Sequence, residues 1–182
     1  MSRCVFILTS LLALQVEAVQ TIDCEKFKDN DLMCLACNIY HESGNQSLEG
    51  KVAVGAVTIN RVKSIYYPNS ICKVVWQDSQ FSWTHDGKID VTPNTEWWVQ
   101  AKDIAKGFMV ATGKPHGAFK DPTKCALFYH ADYVSPYWSH DKRMQKTTQI
   151  ENHIFYKNVA LGCPTENSLT LSSQAKVSEN LN

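Results

Sequence analysis

The hydrophobic residues in the first half of the chain recur at helical spacing. In the segment DLMCLACNIYHES, the positions that share one helical stripe are Leu32, Leu35, Ile39 and Glu42. Spacing of three and four residues predicts an amphipathic helix over residues 31–43, with Gly44 as its stop signal. Because such a stripe faces the protein interior, the pattern places one ionisable carboxyl, that of Glu42, where apolar side chains are expected.

Two further segments show the same periodicity. Ser47 is a suitable cap for a second helix, whose predicted stripe consists of Val52, Ala56, Ile59 and Val62. Small residues in this helix, among them Gly55, permit another helix to approach closely. A third helix is predicted in TEWWVQAKDIAKGFMVATG, where the stripe consists of Trp98, Ala101, Ala105 and Phe108.

Strand signals replace the helical spacing toward the end of the chain. CALFYHA and IENHIFYK are predicted to be strands, joined by the aromatic loop DYVSPYWSHD. Residues 78–94, rich in Asp, Ser, Gly, Thr and Pro, are predicted to form an exposed loop that faces residues 131–141 across a groove. The predicted fold class is therefore α+β, mainly helical with a small antiparallel β element of two or three strands.

The two ends of the chain differ from its middle. Residues 1–18 contain Arg3 followed by an apolar run too short to span a bilayer comfortably, and they are predicted to be a secretory signal peptide, with an uncleaved anchor as the alternative. Residues 19–163 form the predicted globular domain. Residues 164–182, rich in Ser, Asn, Gln and Thr, are predicted to be a disordered polar tail.

Composition limits the classes of partner. The chain has 182 residues, of which 44% are hydrophobic and 20% charged, as expected for one globular domain. Its formal net charge is zero, so we expect no nucleic-acid partner and no stable membrane association once the signal is removed. We take a monomer as the default state.

The cysteines predict export to an oxidising compartment. One of the seven lies in the proposed signal, and the others are Cys24, Cys34, Cys37, Cys72, Cys125 and Cys163. An even number in an exported domain predicts up to three disulfides, and the sequence leaves all 15 pairings open. The CxxC of Cys34 and Cys37, with His41 on the same helical face, leaves a metal or redox site as an alternative, but no second ligand pair follows at zinc-site spacing.

Glu42 carries the candidate chemistry. Burial raises the pKa of a carboxyl because it disfavours the charged form. A carboxyl that keeps its proton near neutral pH can act as a general acid toward a poor leaving group such as a sugar oxygen. The alternative is a helix-end glutamate that pairs with Arg61 or Lys51, and periodicity alone leaves both possibilities open.

Four segments carry a resemblance to a known family: YHESGNQSLEGKVAVGAVTINRVKS, YYPNSICKVVWQDSQFSWTHDGK, ALFYHADYVSPYW and IENHIFYK. Between about Asp31 and Lys157 the chain resembles the cell wall hydrolases of the spore-cortex-lytic (SleB-like) family, which also occur in bacteriophages. The resemblance implies that residues 19–163 are a catalytic domain with a fold like that of lysozymes and lytic transglycosylases. In that group a Glu-Ser pair, here Glu42-Ser43, marks the active helix.

The activity that the resemblance implies is cleavage of the β-1,4 bond between N-acetylmuramic acid and N-acetylglucosamine in peptidoglycan glycan strands, outside the cytoplasm and without a cofactor. As a lytic transglycosylase, Glu42 would protonate the leaving oxygen and then act as base on the muramyl 6-hydroxyl. Lysozyme-type hydrolysis needs a second carboxylate. The carboxylates available for it are Asp78, Asp86, Asp90 and Glu96, and nothing in the sequence singles one out.

The resemblance also implies substrate-binding residues, namely Ser43, Gln80, Ser82, Trp83, Tyr129, His130 and His153. In the QFSWT segment, Gln80 and Ser82 are expected to bind sugar polar groups and Trp83 to stack on a sugar face, unless it anchors the loop in the core. Tyr129 is expected to lie near the acid, as a substrate or transition-state contact or as a buried structural residue. Further candidate sugar platforms are Tyr133, Tyr137 and Trp138.

Two other function classes remain open from the sequence. A metal-dependent amidase or peptidase acting on the same polymer would have six histidines to draw on, but no HExxH or paired-ligand spacing organises them. A saccharide-binding protein without turnover is the third reading, and the intact Glu42-Ser43 pair argues against it.

Overall fold

Helices come first along the chain and strands last. The computed structural model describes residues 22–86, 95–109 and 119–163. The helices are α1 (Asp31–Ser43), α2 (Leu48–Lys63), α3 (Ile71–Val75) and α4 (Thr95–Met109), and the strands are β1 (Phe128–Ala131), β2 (Met144–Ile150) and β3 (His153–Asn158). Single turns of 3-10 helix lie at Cys24–Phe27, Ser82–Thr84 and Tyr137–His140. The proposed signal peptide and polar tail lie outside the described residues.

Helix α1 has the bounds that its sequence predicts. The Asn30 side chain accepts a hydrogen bond from the Met33 backbone N–H at 3.1 Å, which caps the first turn, and the helix ends at Gly44. Its apolar side packs against α4, α2 and α3. The predicted amphipathic helix is therefore confirmed.

Helix α2 is central and more buried than its predicted stripe suggests. Ser47 caps it as expected, accepting from the Gly50 backbone N–H. Burial extends around most of the helix, so that Val54 and Val57 are fully buried while Ile59, a stripe residue, is only half-buried. One stripe was predicted, but neighbours on several sides cover this helix.

Close approach of two helices depends on Gly55. A Cβ placed on this residue would lie 2.5 Å from Cε2 of Phe108 in α4, closer than carbon atoms can pack. The small side chains of α2 therefore let the third predicted helix, now α4, lie directly against it.

The sheet has three antiparallel strands in the order β1-β3-β2, within the predicted two or three, although the sequence identifies only two strand segments. The sequence does not identify β2 because its residues, MQKTTQI, are mostly polar, and only Ile150 is buried. The segment IENHIFYK is not one strand either. Glu151 has φ 47°, which turns the chain between β2 and β3.

That turn also joins the sheet to the helices. Both carboxylate oxygens of Glu151 accept from the backbone N–H of Ser47, at 3.1 and 3.0 Å, just before α2 begins. These bonds lower the pKa of Glu151 because they favour its charged form.

Three disulfides form, as the cysteine count predicts: Cys24–Cys37, Cys34–Cys72 and Cys125–Cys163. The two cysteines of the CxxC segment belong to different bridges, so the alternative of a CxxC metal or redox site is wrong. Cys34–Cys72 ties α1 to α3 inside the core, whereas Cys163 is exposed. Within the described residues, no helix has the length and apolarity that crossing a membrane requires.

We expect the two longer bridges to differ in their effect on stability. Cys34–Cys72 and Cys125–Cys163 both span 38 positions, so the chain-entropy contribution of each is about 4 kcal/mol. Removing Cys34–Cys72 as a double alanine variant should lower the free energy of unfolding more than the matched Cys125→Ala/Cys163→Ala variant, because only the first leaves a void in the core. Urea denaturation measures both. Equal losses would contradict a packing role for the buried bridge.

Candidate active site

The last turn of α1 places Glu42 on the wall of a cavity of about 560 Å³. The residues that line it are Glu42, Arg61, Ser79, Gln80, Phe81, Ser82, His85 and Tyr129. They come from α1, α2, β1 and the segment between α3 and α4. The groove predicted between residues 78–94 and 131–141 is matched on one side only, because the cavity is lined by residues of the first segment and by none of the second.

The Glu42 carboxyl lies in an environment that favours its neutral form. Burial raises its pKa, and two groups oppose this shift without cancelling it: the Tyr129 hydroxyl and the Arg61 guanidinium. The Tyr129 hydroxyl donates to Oε2 of Glu42 at 2.8 Å. The raised pKa favours the protonated carboxyl, and the carboxylate that forms when the proton leaves has a hydrogen-bond donor in Tyr129.

Tyr129 reaches Glu42 from the sheet. Side chains alternate between faces along a strand, and Tyr129 is on the face toward the helices, with ring centroids 5.6 Å from Phe155 and 5.1 Å from His153. Burial, followed by the nearby Glu42, raises the pKa of Tyr129 well above its usual value. The hydroxyl therefore stays protonated and remains a donor.

A buried amide fixes the QFSWT segment to the helices. Asn38 in α1 is fully buried; its Oδ1 accepts from Nε1 of Trp83 at 3.1 Å, and its Nδ2 donates to Oγ1 of Thr58 in α2 at 3.1 Å. One side chain thereby links two helices to the loop that carries Gln80 and Ser82.

Trp83 is an anchor and offers no platform for a sugar. Only 7% of the residue is exposed, His41 stacks on its ring at 4.6 Å, and Trp76 contacts it edge-on at 5.3 Å. The expectation that Trp83 stacks on substrate does not fit this burial, and the alternative, that it anchors the loop in the core, does. Burial of the His41 ring lowers its pKa to about 4, despite the opposing charge of Asp86.

Ser43 also lies away from the cavity. It is fully buried, and its hydroxyl donates to the Ile39 carbonyl one turn earlier at 2.8 Å. The expected substrate contact does not fit this position, because the hydroxyl is used within α1.

The two strand histidines are not among the cavity-lining residues. His130 lies on the opposite sheet face from Tyr129, where Nδ1 is 2.9 Å from the Ala131 carbonyl and Nε2 is 3.2 Å from the Tyr156 hydroxyl. His153 shares the inner face with Tyr129 but is buried, and burial lowers its pKa. Their positions fit hydrogen bonding and packing in the sheet. Tyr133 and Tyr137 are exposed, also outside this cavity.

Glu42 is the single carboxylate lining the cavity among residues 22–86, 95–109 and 119–163. Asp78, Asp86 and Glu96 are all exposed and lie outside its lining, whereas Asp90 is outside the described residues. In the same three ranges, no three His, Cys, Asp or Glu side chains come together as a metal-binding group.

The cavity contains residues that the sequence did not identify as part of it. Arg61 was considered only as a salt-bridge partner, and Ser79, Phe81 and His85 were not assigned to the site. Arg61 follows the fully buried Val54 and Thr58 by seven and three positions, so helical spacing places it on an inward-facing stripe of α2. A charge on a buried stripe, the signal that identified Glu42, was therefore present here too.

Comparison with known proteins identifies the family of the chain. The family model described as cell wall hydrolase matches residues 45–156. The chain belongs to the cell wall hydrolase family. The matched region begins three residues after Glu42 and includes the rest of the cavity lining.

Spore cortex-lytic enzymes are among the relatives of this chain. That of Bacillus cereus is 32% identical over 132 residues, which cover 72% of this chain and 46% of that protein. That of Bacillus subtilis is 31% identical over 130 residues, covering 71% of this chain and 38% of that protein. The chain thus spans less than half the length of these relatives.

Solved structures match over nearly their whole length. The catalytic domain of the Bacillus cereus SleB protein is 32% identical, with a TM-score of 0.53, and the match covers 70% of this chain and 90% of that one. The catalytic domain of the germination-specific lytic transglycosylase SleB from Bacillus anthracis is 32% identical, with a TM-score of 0.54, covering 71% and 95%. The α+β fold expected from the resemblance is confirmed.

We expect Glu42→Gln to stabilise the protein at neutral pH. Folding raises the pKa of Glu42, so as pH rises above the usual glutamate value the unfolded chain loses this proton first and the free energy of unfolding falls. Glutamine removes that loss, worth about 1.4 kcal/mol per unit of pKa shift. The variant should be more stable than wild type in urea at about pH 7 and similar at about pH 3.5. Lower stability at the higher pH would contradict a neutral, desolvated Glu42.

We expect Trp83→Phe to destabilise the protein by about 1–3 kcal/mol, because Oδ1 of Asn38 would stay buried without its donor. Trp76→Phe is the matched control, since Nε1 of Trp76 is buried with no hydrogen-bond partner in the described residues. Urea denaturation compares the two variants. An equal loss in both would mean that ring packing, and not the Asn38 bond, fixes the loop.

Proposed function

We propose that this protein cleaves the β-1,4 bond between N-acetylmuramic acid and N-acetylglucosamine in peptidoglycan, as a lytic transglycosylase with Glu42 as both acid and base. The observation that carries the proposal is the Glu42 carboxyl itself: desolvated, on the wall of a cavity, and bonded to the Tyr129 hydroxyl. Support comes from the family membership and from the similarity to SleB of Bacillus anthracis, which is a lytic transglycosylase.

In the first step, Glu42 gives its proton to the oxygen that links the two sugars, and the bond from that oxygen to the muramyl anomeric carbon breaks. Burial raises the pKa of Glu42 and so favours the protonated form that this step requires. The carboxylate left behind accepts the hydrogen bond of Tyr129, which is stronger to a charged acceptor than to a neutral one.

In the second step, the Glu42 carboxylate removes the proton of the muramyl 6-hydroxyl, whose oxygen bonds to the anomeric carbon. This closes a 1,6-anhydro ring and returns Glu42 to its starting protonated state, so that no water is consumed. Gln80 and Ser82, on the loop fixed by Trp83, are the proposed contacts to the sugar acetamido and hydroxyl groups.

One-carboxylate chemistry is favoured over lysozyme-type hydrolysis, which needs a second carboxylate near the scissile bond. In the part of the chain that the structure describes, Glu42 has no carboxylate companion in the cavity lining. Hydrolysis is therefore the alternative outcome for the same bond.

We further propose that the protein works outside the cytoplasm, in the periplasm or the extracellular space, as a monomer acting on the wall. Three disulfides in a small domain are typical of oxidising compartments. The proposed signal peptide gives the route of export. A bacterial wall-remodelling enzyme and a phage endolysin both fit this location.

Digestion of purified sacculi, followed by mass spectrometry of the released muropeptides, tests the proposal. Wild type should release 1,6-anhydro-muropeptides, and Glu42→Gln should lower the rate by about 10²- to 10⁴-fold or more, since the general acid is lost. Glu49→Gln, at an exposed glutamate of α2, is the matched control and should keep full activity.

The products distinguish the rival functions. Reducing ends without anhydro ends would replace transglycosylation by hydrolysis, and freed stem peptides that disappear with EDTA would indicate a metal-dependent amidase. Full activity of Glu42→Gln would remove Glu42 from the mechanism.

A further inference from the structure

Arg61 is a buried cation with one donor unused. Only 5% of the residue is exposed, and its Nε donates to the Leu127 carbonyl at 2.8 Å. The guanidinium carbon lies 5.5 Å from the ring centroid of Tyr67 and 5.2 Å from that of Phe81. Nη1 is buried without a hydrogen-bond partner in the described residues. An unpaired donor on a buried charge is costly, and its persistence needs a reason.

The position of Arg61 supplies that reason. It lines the cavity together with Glu42 and Tyr129, and its charge acts on Glu42 through space. Arginine stays protonated in proteins, so this charge is constant even though burial tends to lower the pKa of Arg61.

We propose that Arg61 is a positioning residue whose fixed positive charge stabilises the carboxylate that Glu42 becomes after it protonates the leaving oxygen. The inference rests on the proposed role of Glu42 as acid and base. In this role Arg61 acts through Glu42. The sequence analysis treated pairing of Glu42 with Arg61 as an alternative to catalysis; in this proposal the interaction between the two residues is part of catalysis.

A desolvated acid needs such a neighbour. Burial keeps the proton on Glu42, but the same burial would make the resulting anion too unstable to form readily. A buried guanidinium lowers the free energy of the anion without admitting water. The Nε of Arg61 also donates to the carbonyl of Leu127, two residues before Tyr129. Arg61 therefore holds the chain just before β1, and with it the strand from which Tyr129 donates to Glu42.

The pH dependence of kcat tests the charge. The groups that act on Glu42 are Tyr129 and Arg61. The other titratable groups nearby are His85, which lines the same cavity, His41, which precedes Glu42 on α1, and Tyr67, which faces the guanidinium. Arg61 lowers the pKa of Glu42, so its removal should keep Glu42 protonated to higher pH. Arg61→Met and Arg61→Gln, both neutral, should therefore lower kcat by on the order of 10- to 100-fold while moving the basic limb of the profile to higher pH.

Arg61→Lys is the matched control, because it keeps the charge but loses the planar fork. Its basic limb should stay close to that of wild type, with a smaller loss of kcat. A lower kcat in all three variants with no movement of the basic limb would overturn the proposal and leave Arg61 a structural residue.

A measurement on the unaltered Arg61 covers the case in which the neutral variants do not fold. The ¹⁵N signal of the Arg61 side chain should shift with pH as Glu42 ionises in wild type, and this shift should vanish in Glu42→Gln. A signal that is constant with pH in wild type would overturn the proposal. Because the readout does not use activity, it is separate from failure of the proposed function, which full activity of Glu42→Gln would show.

Discussion

The hydrogen bond from Tyr129 to Glu42 joins the two parts of the molecule at the point where chemistry is proposed. Its partners are 87 positions apart in sequence, one at the end of the first helix and the other in the first strand. The sheet is small and packs on α2 through an apolar cluster that includes Val57, Ile150 and Phe155, and a few polar contacts cross the same boundary. Arg61 to the Leu127 carbonyl and Glu151 to the Ser47 backbone are two others.

The rest of the cavity follows from a second polar group placed where apolar ones are usual. Asn38 is as buried as its leucine and isoleucine neighbours, yet both ends of its amide are bonded, so its burial carries no unmet polar group. The loop that faces Glu42 is consequently held by directional bonds to Trp83 as well as by packing. Different residues of the loop therefore have different roles: the Trp83 indole fixes the loop to α1, and Gln80 and Ser82 line the cavity.

The sequence was informative where a single strong pattern controls local structure. The stripe and caps of α1 predicted its limits and drew attention to Glu42, because a helix packed on one side records its buried face in its own residues. Strand β2 has no comparable hydrophobic pattern, because its mostly polar residues form a strand through pairing with β3. The resemblance brought Tyr129 to the site, but it also suggested Trp83 and Ser43, whose burial depends on neighbours distant in sequence. Arg61 was overlooked because a cation on a helix was interpreted as a surface partner.

Two of the three disulfides have a cysteine in α1, the helix whose last turn contains Glu42, and these two cysteines lie one helical turn apart. Cys37 is bonded to Cys24 in the 3-10 turn before α1, and Cys34 is bonded to Cys72 in α3, so α1 is covalently linked to both segments. Bonds of this kind persist in oxidising surroundings and are kept reduced in the cytosol. Under the export proposed above, the helix that bears Glu42 would acquire both covalent restraints only in the oxidising compartment that the protein reaches, and not where the chain is made.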